Sequence, residues 1–321
     1  MKLCIQIPCF NEESQLPQTL RDLPRSLPGI DTIEVLVVDD GSGDRTAEVA
    51  RALGAYVVSV PLHRGLANAF VVGVDACLAR GADLIVNTDG DNQYRGEDIA
   101  KLVVPILEDD ADLVIGARPI AEIETFSLVK KVLQRAGSSV VRVLSGTRVV
   151  DATSGFRAMN RETALQVNVF SRYTYTLETI IQAAHHGLRI RSIPIRVNAS
   201  IRQSRLARNN WHYLWRSGSD LLRVFVVYRP FRCFMAPALA LFAVATGIAV
   251  RFLYYLLSVD GGAGHVQSLI LAAILYGLSG VLMAVAFLGD LLAINRRMLE
   301  EVQLNSRHAR YSGDHHKRRD D

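Results

Sequence analysis

Leu84-Ile85-Val86-Asn87-Thr88-Asp89-Gly90-Asp91 decides the fold: a short apolar run is followed at once by two carboxylates one residue apart. The run has the composition of a buried strand, and side chains at i and i+2 of extended or turning backbone can point the same way. Hard oxygen ligands so placed suit Mg²⁺ or Mn²⁺ holding a diphosphate. A solvated turn is the alternative, because Gly and Asp are the residues that turns favour.

The surrounding sequence favours the metal. Apolar runs rich in Ile and Val at Leu3–Ile7, Ile33–Val38, Ala55–Val60, Leu84–Val86 and Leu113–Ile115 alternate with longer helix-like stretches. Such alternation predicts an α/β fold, a mostly parallel, Rossmann-like sheet with flanking helices. The runs are nearly continuous in hydrophobicity, as expected of strands buried on both faces. Sheets of this kind bind ligands at the C-terminal ends of their strands. Those ends carry Pro8-Cys9-Phe10-Asn11-Glu12, Asp39-Asp40-Gly41-Ser42, Asp89-Gly90-Asp91-Asn92-Gln93 and Gly116-Ala117-Arg118. Asn11, Ser42 or Asp44 could simply start helices, but helix starts do not account for acidic clusters at three strand ends.

The composition adds a membrane. Of 321 residues 50% are hydrophobic, and the length accommodates one α/β domain of about 200 residues plus something else. From Cys233 to Leu257 the only charge is Arg251, and from Val266 to Ile294 the only charge is Asp290. Each run exceeds the roughly 20 residues needed to cross a bilayer, although a buried hairpin of a soluble domain has the same signature. The connector Ser258–His265 lacks Lys and Arg, whereas Arg229 and Arg232 precede the first run and Arg296 and Arg297 follow the second. The positive-inside rule then places both termini and the catalytic domain in the cytoplasm. At about 1.5 Å of rise per residue, Arg251 and Asp290 lie near opposite faces of the membrane, too far apart to pair within one subunit. Arg251 is read as snorkelling.

From Arg189 to Arg232 there are ten arginines and one acid, Asp220, interleaved with Trp211, Tyr213, Trp215, Phe225 and Tyr228. That mixture predicts amphipathic interfacial helices on anionic headgroups, and no nucleic-acid fold signature accompanies it. The expected domains are a catalytic domain over 1–205, interfacial helices over 206–232, two transmembrane helices over 233–294 and a basic cytoplasmic tail over 295–321. The end of that tail, from His315 to Asp321, reads as disordered. Only Met1 and Lys2 precede the first strand, which leaves no room for a cleaved signal peptide. Cys4, Cys9, Cys77 and Cys233 form no CxxC or zinc spacing and read as buried thiols in a reducing compartment. Gly277, Ser279 and Gly280 are small residues compatible with a homo-oligomer formed through the spans.

Ile7-Pro8-Cys9-Phe10-Asn11-Glu12, Val37-Val38-Asp39-Asp40-Gly41-Ser42, Asp89-Gly90-Asp91 and Asp151-Ala152-Thr153-Ser154-Gly155-Phe156-Arg157 together resemble the landmarks of glycosyltransferase family 2, which has the GT-A fold. Gly116-Ala117-Arg118, the Ser-Gly-Phe-Arg element and two C-terminal membrane helices make the chain most similar to the polyprenyl-phosphate (dolichol-phosphate) enzymes of that family. The resemblance covers residues 1–205 by motif and the remainder by architecture.

The resemblance implies that Pro8, Phe10, Glu12 and Asp39 hold the nucleotide, with Asp40 the weaker choice. It implies that Asp89 and Asp91 bind Mg²⁺ or Mn²⁺, with Gln93 a further ligand, and that the cation neutralises the departing diphosphate. Arg64-Gly65 matches a less strict element, and His63 stands where many members carry Asn. A lipid phosphate is anionic at neutral pH and needs cationic positioning rather than a general base. Arg118, Arg202 and Arg205 are the candidates for that role, with lipid headgroups the alternative ligand for Arg205. Arg157 could instead pair with Asp151, and Glu178 reads as structural or sugar-binding. The expectation is therefore an inverting, metal-dependent enzyme that moves a hexose from a UDP- or GDP-linked donor to undecaprenyl or dolichyl phosphate at the cytoplasmic face. A processive polysaccharide synthase would normally add a Gln-X-X-Arg-Trp element and more spans, which the sequence lacks. A nonenzymatic scaffold would have no need of the acids at the strand ends.

Overall fold

The computed structural model describes residues 1–119, 137–143, 145–166, 169, 175–198, 223, 226–258 and 266–319, with side chains as far as residue 311. The chain divides into two compact units, Met1–Gly218 with Val302–Asp321, and Ser219–Glu301.

In the first unit the strands β1 (Lys2–Cys9), β2 (Thr32–Asp39), β3 (Tyr56–Ser59), β4 (Leu84–Asn87), β5 (Leu113–Ala117), β6 (Arg157–Asn160) and β7 (Ile190–Pro194) form one sheet. Its order is β3-β2-β1-β4-β6-β5-β7. All five expected runs lie on strands, the third shortened by one residue at each end. Pairing is parallel throughout except at β6, which runs antiparallel to both β4 and β5, Met159 opposing Ile85 on one side and Leu113 on the other. Arg157-Ala158-Met159-Asn160 is absent from the expected runs because it is short and opens on a charged residue.

The strands' alternation divides the core. On one face Leu3, Ile5 and Ile7 join Val37, Leu84, Val86 and Val114 against Leu16 of α1 (Leu16–Asp22) and Ile99, Leu102 and Val103 of α4 (Ile99–Leu107). Between α1 and α4 in sequence come α2 (Thr46–Ala52) and α3 (Leu66–Ala79), and α5 (Arg161–Gln166) and α6 (Thr176–His185) follow. On the other face Cys4 and Gln6 meet α3: the Cys4 and Cys77 sulfurs are 2.8 Å apart, both as thiols. Burying each such Leu or Ile side chain contributes about 2 kcal/mol.

The helices α7 (Pro230–Ser258) and α8 (Val266–Arg319) carry the segments Pro230–Leu257 and Val266–Tyr311, each long and apolar enough to cross a membrane. Only 11% and 17% of their apolar windows are buried, unlike the core helices of a soluble domain. Within the second unit Ala238 and Ala245 of α7, and Ala272, Ser279 and Ala286 of α8, are buried, while Leu253, Leu269, Leu288 and Leu291 are exposed. A seven-residue spacing keeps these small residues on one stripe of each helix, where they let the backbones approach. Ser279 Oγ donates to the Ala238 carbonyl at 2.8 Å, and the Tyr276 hydroxyl to Thr246 Oγ1 at 3.0 Å. Ser279 therefore belongs to the hairpin seam rather than to a self-association face, whereas the space beside Gly277 and Gly280 is open. Arg251 lies over the ring of Tyr255, 5.7 Å from its centroid.

The tail differs from expectation, because α8 continues as helix to Arg319. Good helix formers such as Arg, Met, Leu and Glu follow Asn295. Within the first unit Arg307 pairs with Asp75 at 3.1 Å, and Arg161 donates to the Tyr311 carbonyl at 3.0 Å. Residues 259–265, which contain most of the connector, lie outside the described residues, as do 199–222 of the arginine-aromatic stretch and Asp320 and Asp321.

Candidate active site

The rim begins with the loops after β1 and β2, which are stitched into one body. The Asn11 amide donates to Ser42 Oγ at 3.0 Å, and Gly43 N–H returns a bond to Asn11 Oδ1 at 2.9 Å. The Glu12 amide donates to Thr46 Oγ1 at 2.9 Å, and Arg45 N–H to Glu13 Oε2 at 2.9 Å. Pro8 sits beyond the last pairing of β1 with β4, Gln6 with Asn87, so its missing N–H breaks no ladder bond on that side. Phe10 stacks on His63 with ring centroids 3.9 Å apart.

The two adjacent acids of the second loop have different work. Asp39, the last residue of β2, accepts Ser42 N–H at 3.1 Å. Asp40 is 3% exposed; its carboxylate pairs with His63 Nδ1 at 2.8 Å and accepts the amides of Arg64 at 3.0 Å and Gly65 at 2.8 Å. Asp40 therefore fixes the entry to α3 and the ring against which Phe10 stacks. Gly41 is required beside it: φ is +70°, and a Cβ there would lie 2.7 Å from the His63 backbone nitrogen.

Acids from three loops converge. Burial pushes the Cys9 thiol well above its ordinary value, and the charges of Glu12, Asp39, Asp89 and Asp44 act in the same direction. Asp89 lies just past β4 and is partly exposed, and Asp91 is exposed. Crowding by protein, then the charge of Asp91, pushes the Asp89 carboxyl up to about 7, against the nearby Arg118 guanidinium and a hydrogen bond from Tyr94. Gln93 is tied in through its backbone, which donates to Asp91 Oδ1 at 3.1 Å. Among the described residues no group of three or more His, Cys, Asp and Glu converges on a metal position. Two carboxylates at the rim nevertheless fit a hard divalent cation, since Mg²⁺ in such sites takes one or two carboxylates and completes its shell with water and substrate phosphate.

On the far side of the acid pair Arg118 is already paired. Its Nε lies 2.7 Å from Asp151 Oδ2 and its Nη2 3.1 Å from Oδ1, with a third bond to Thr153 Oγ1 at 2.8 Å. The side chains of Arg118 and Asp151 are 7% and 0% exposed. Asp151 thus takes Arg118, not Arg157, as its hydrogen-bonded ion-pair partner. Arg157 opens β6 fully buried, donates to the Thr176 carbonyl at 3.3 Å, and also bonds Thr179 Oγ1 and the Ser154 carbonyl. Asn87 Nδ2 donates to the Gly155 carbonyl at 2.8 Å and to the Tyr175 hydroxyl at 3.0 Å, and Tyr175 stacks on Phe70 of α3. Glu178 is buried on α6. Arg202 and Arg205 lie outside the described residues.

Comparison with known proteins resolves the family. The profile of Glycosyl transferase family 2 matches residues 4–166, about half of the chain. The chain belongs to this family. An undecaprenyl-phosphate mannosyltransferase of Micrococcus luteus is 33% identical over 206 residues, covering 61% of this chain and 83% of that protein. A dolichyl-phosphate hexose transferase of Haloferax volcanii is 31% identical over 194 residues, covering 60% and 81%. Among solved structures, a glucosyl-3-phosphoglycerate synthase of Mycobacterium tuberculosis in complex with Mn²⁺, UDP and glucosyl-3-phosphoglycerate superposes with a TM-score of 0.54. At 23% identity, over 70% of this chain and 78% of that one, it shares the fold.

In this family 2 chain the matched segment contains β2 to β6 and all of β1 but its first two residues. Its strand ends bring Pro8, Phe10, Glu12, Asp39, Asp89, Asp91, Gln93 and Arg118 to one rim. Residues that sequence reasoning passed over are Asn87, Tyr94 and Tyr175, which bond around Gly155 and Asp89. Asn87 carried a signal, being a polar residue that closes an apolar strand.

Proposed function

We propose that this glycosyltransferase moves a hexose from a nucleotide diphosphate sugar to a polyprenyl phosphate, with inversion, at the cytoplasmic face of a membrane crossed by α7 and α8. The observation that carries the proposal is the Asp89–Asp91 pair at the rim shared by the first two loops. The named activities of the Micrococcus luteus and Haloferax volcanii relatives support the acceptor class. The Mn²⁺ and UDP in the glucosyl-3-phosphoglycerate synthase structure support a divalent cation, Mg²⁺ or Mn²⁺, beside the donor. The organisation into a catalytic domain over 1–205, a basic interfacial segment over 206–232, spans over 233–294 and a cytoplasmic tail belongs to the same proposal.

Each residue then has a task. Phe10, braced by His63, offers a ring face to the base, and Asp39 accepts a base N–H or ribose hydroxyl, with Pro8 and Glu12 shaping the same loop. Asp40 holds His63 and the start of α3 in place. Asp89 and Asp91, with Gln93, would hold the cation, which neutralises charge as the diphosphate leaves. The acceptor phosphate is already anionic, so displacement needs orientation and positive potential rather than proton removal. Arg118, anchored by Asp151, supplies part of that potential, and Arg202 and Arg205 are proposed to hold the acceptor.

Asp91→Ala should lower transfer by about 100-fold or more while leaving the protein folded and membrane-bound. The assay offers full-length protein labelled UDP- and GDP-hexoses with undecaprenyl or dolichyl phosphate. Unchanged transfer by the variant would overturn the metal assignment, and a growing polymer would replace the single-transfer reading with a synthase.

A further inference from the structure

Tyr94 connects the acid pair to the Ser154-Gly155-Phe156 element. It is 4% exposed, its ring stacks on Phe156 with centroids 4.9 Å apart, and its backbone bridges to Val197. The Gly155 amide donates to the Tyr94 oxygen at 3.2 Å. A phenol has one hydrogen; with the Gly155 amide as donor that hydrogen is left for an acceptor, and the Asp89 carboxyl, which lies against the same Gly155, is drawn downward by the phenol. Gly155 also confines the carboxylate directly: a Cβ there would lie 2.9 Å from Asp89 Oδ1 and 3.3 Å from Oδ2. One acidic side chain is thus confined by a phenol hydroxyl and a side-chain-free backbone.

We propose that Tyr94 is a positioning residue for the cation: it orients the Asp89 carboxylate, with the Gly155 amide fixing the direction of its hydroxyl. The remaining lone pairs of Asp89 are then left for the metal in a constant direction. Groups that orient a metal's carboxylate ligands commonly account for about 10- to 100-fold in metal affinity. The proposal rests on the cation site proposed above, and its test separates the two.

Mn²⁺ is titrated against the full-length protein in detergent, alone and with UDP or GDP, and the free ion is read by electron paramagnetic resonance. Tyr94→Phe keeps the stack on Phe156 and should weaken Mn²⁺ binding about tenfold or more in protein that stays folded, its thermal midpoint lowered only as far as the Gly155 amide loses its acceptor. Gly155→Ala, whose Cβ would press on both Asp89 Oδ1 and the Tyr175 hydroxyl at 2.9 Å while leaving the Tyr94 phenol in place, should weaken it as well. Asp91→Ala should remove binding altogether. Wild-type Mn²⁺ affinity in Tyr94→Phe, with binding lost in Asp91→Ala, overturns the role of Tyr94 and leaves the cation site standing. Equal binding by the wild type and Asp91→Ala overturns the cation site, and the role of Tyr94 with it.

Discussion

The catalytic unit buries its largest side chains, and the helical hairpin buries its smallest. In the first, Phe70, Phe156, Tyr175 and Arg157 are among the largest side chains fully enclosed. In the second, alanines and one serine form the seam, and the leucines face outward. The difference follows from the solvent each surface meets. In water, burying apolar area is the main driving force, so bulk goes inside. In lipid, a leucine gains little by leaving the bilayer, and close backbone approach through small residues holds helices together.

The largest expected effect breaks the catalytic unit at its buried charge. Asp151→Ala leaves Arg118 enclosed without its carboxylate and should cost about 3–5 kcal/mol, read from thermal unfolding in detergent. A loss below about 1 kcal/mol would mean that the pair behaves as a surface ion pair. In the hairpin, Ala286→Leu places bulk in the seam and should cost about 1–3 kcal/mol, measured by unfolding in a mild-to-denaturing detergent series. Leu288→Ala on the exposed face should stay within about 0.5 kcal/mol. If the two hairpin substitutions exchanged magnitudes, the outward face would be the packed one.

The smallest effect concerns acid. Burial would raise the Asp98 carboxyl, but hydrogen bonds from Arg196 and Lys101 outweigh it and hold the group at about 2. An unfolded Asp titrates near ~3.9, so the folded value is depressed, and the native state is favoured while the group is ionised. The stabilisation is present above about pH 4 and is lost as pH falls toward 2. Asp98→Asn should flatten that part of the stability profile, and an unaltered slope would remove Asp98 as its source.

The acid pair and the strand ends were legible in sequence because a buried strand must be apolar and its ligand-facing end must be polar. The sequence sets Asp39 above its neighbour Asp40 as a nucleotide ligand, but only the fold shows what occupies Asp40: His63 and two amides arriving from 23 to 25 residues away. The partner of Asp151 was not legible. Arg157 lies closer in sequence, but β6 carries it into the interior, and the opposite charge comes from Arg118, 33 residues earlier. The hairpin seam was hidden for a different reason. Hydropathy reports which segments prefer lipid, and it cannot distinguish an alanine facing its neighbour from a leucine facing acyl chains.

The antiparallel course of β6 has a consequence for how such a protein can change. Strand β5 ends at Ala117 and β6 begins at Arg157, so the chain departs from and re-enters the sheet at the same rim. Arg118 and Asp151 clasp the two ends together. Beside the clasp, Val150 N–H donates to Ser192 Oγ of β7 at 3.4 Å, a second tie between the returning chain and the sheet. On the return, Val141 and Val149 are buried and Ser138 Oγ accepts the Ala152 amide at 3.1 Å, so the described end of this excursion is part of the packed domain. A change in the length of this excursion would keep strand order only where the clasp and those contacts survive it.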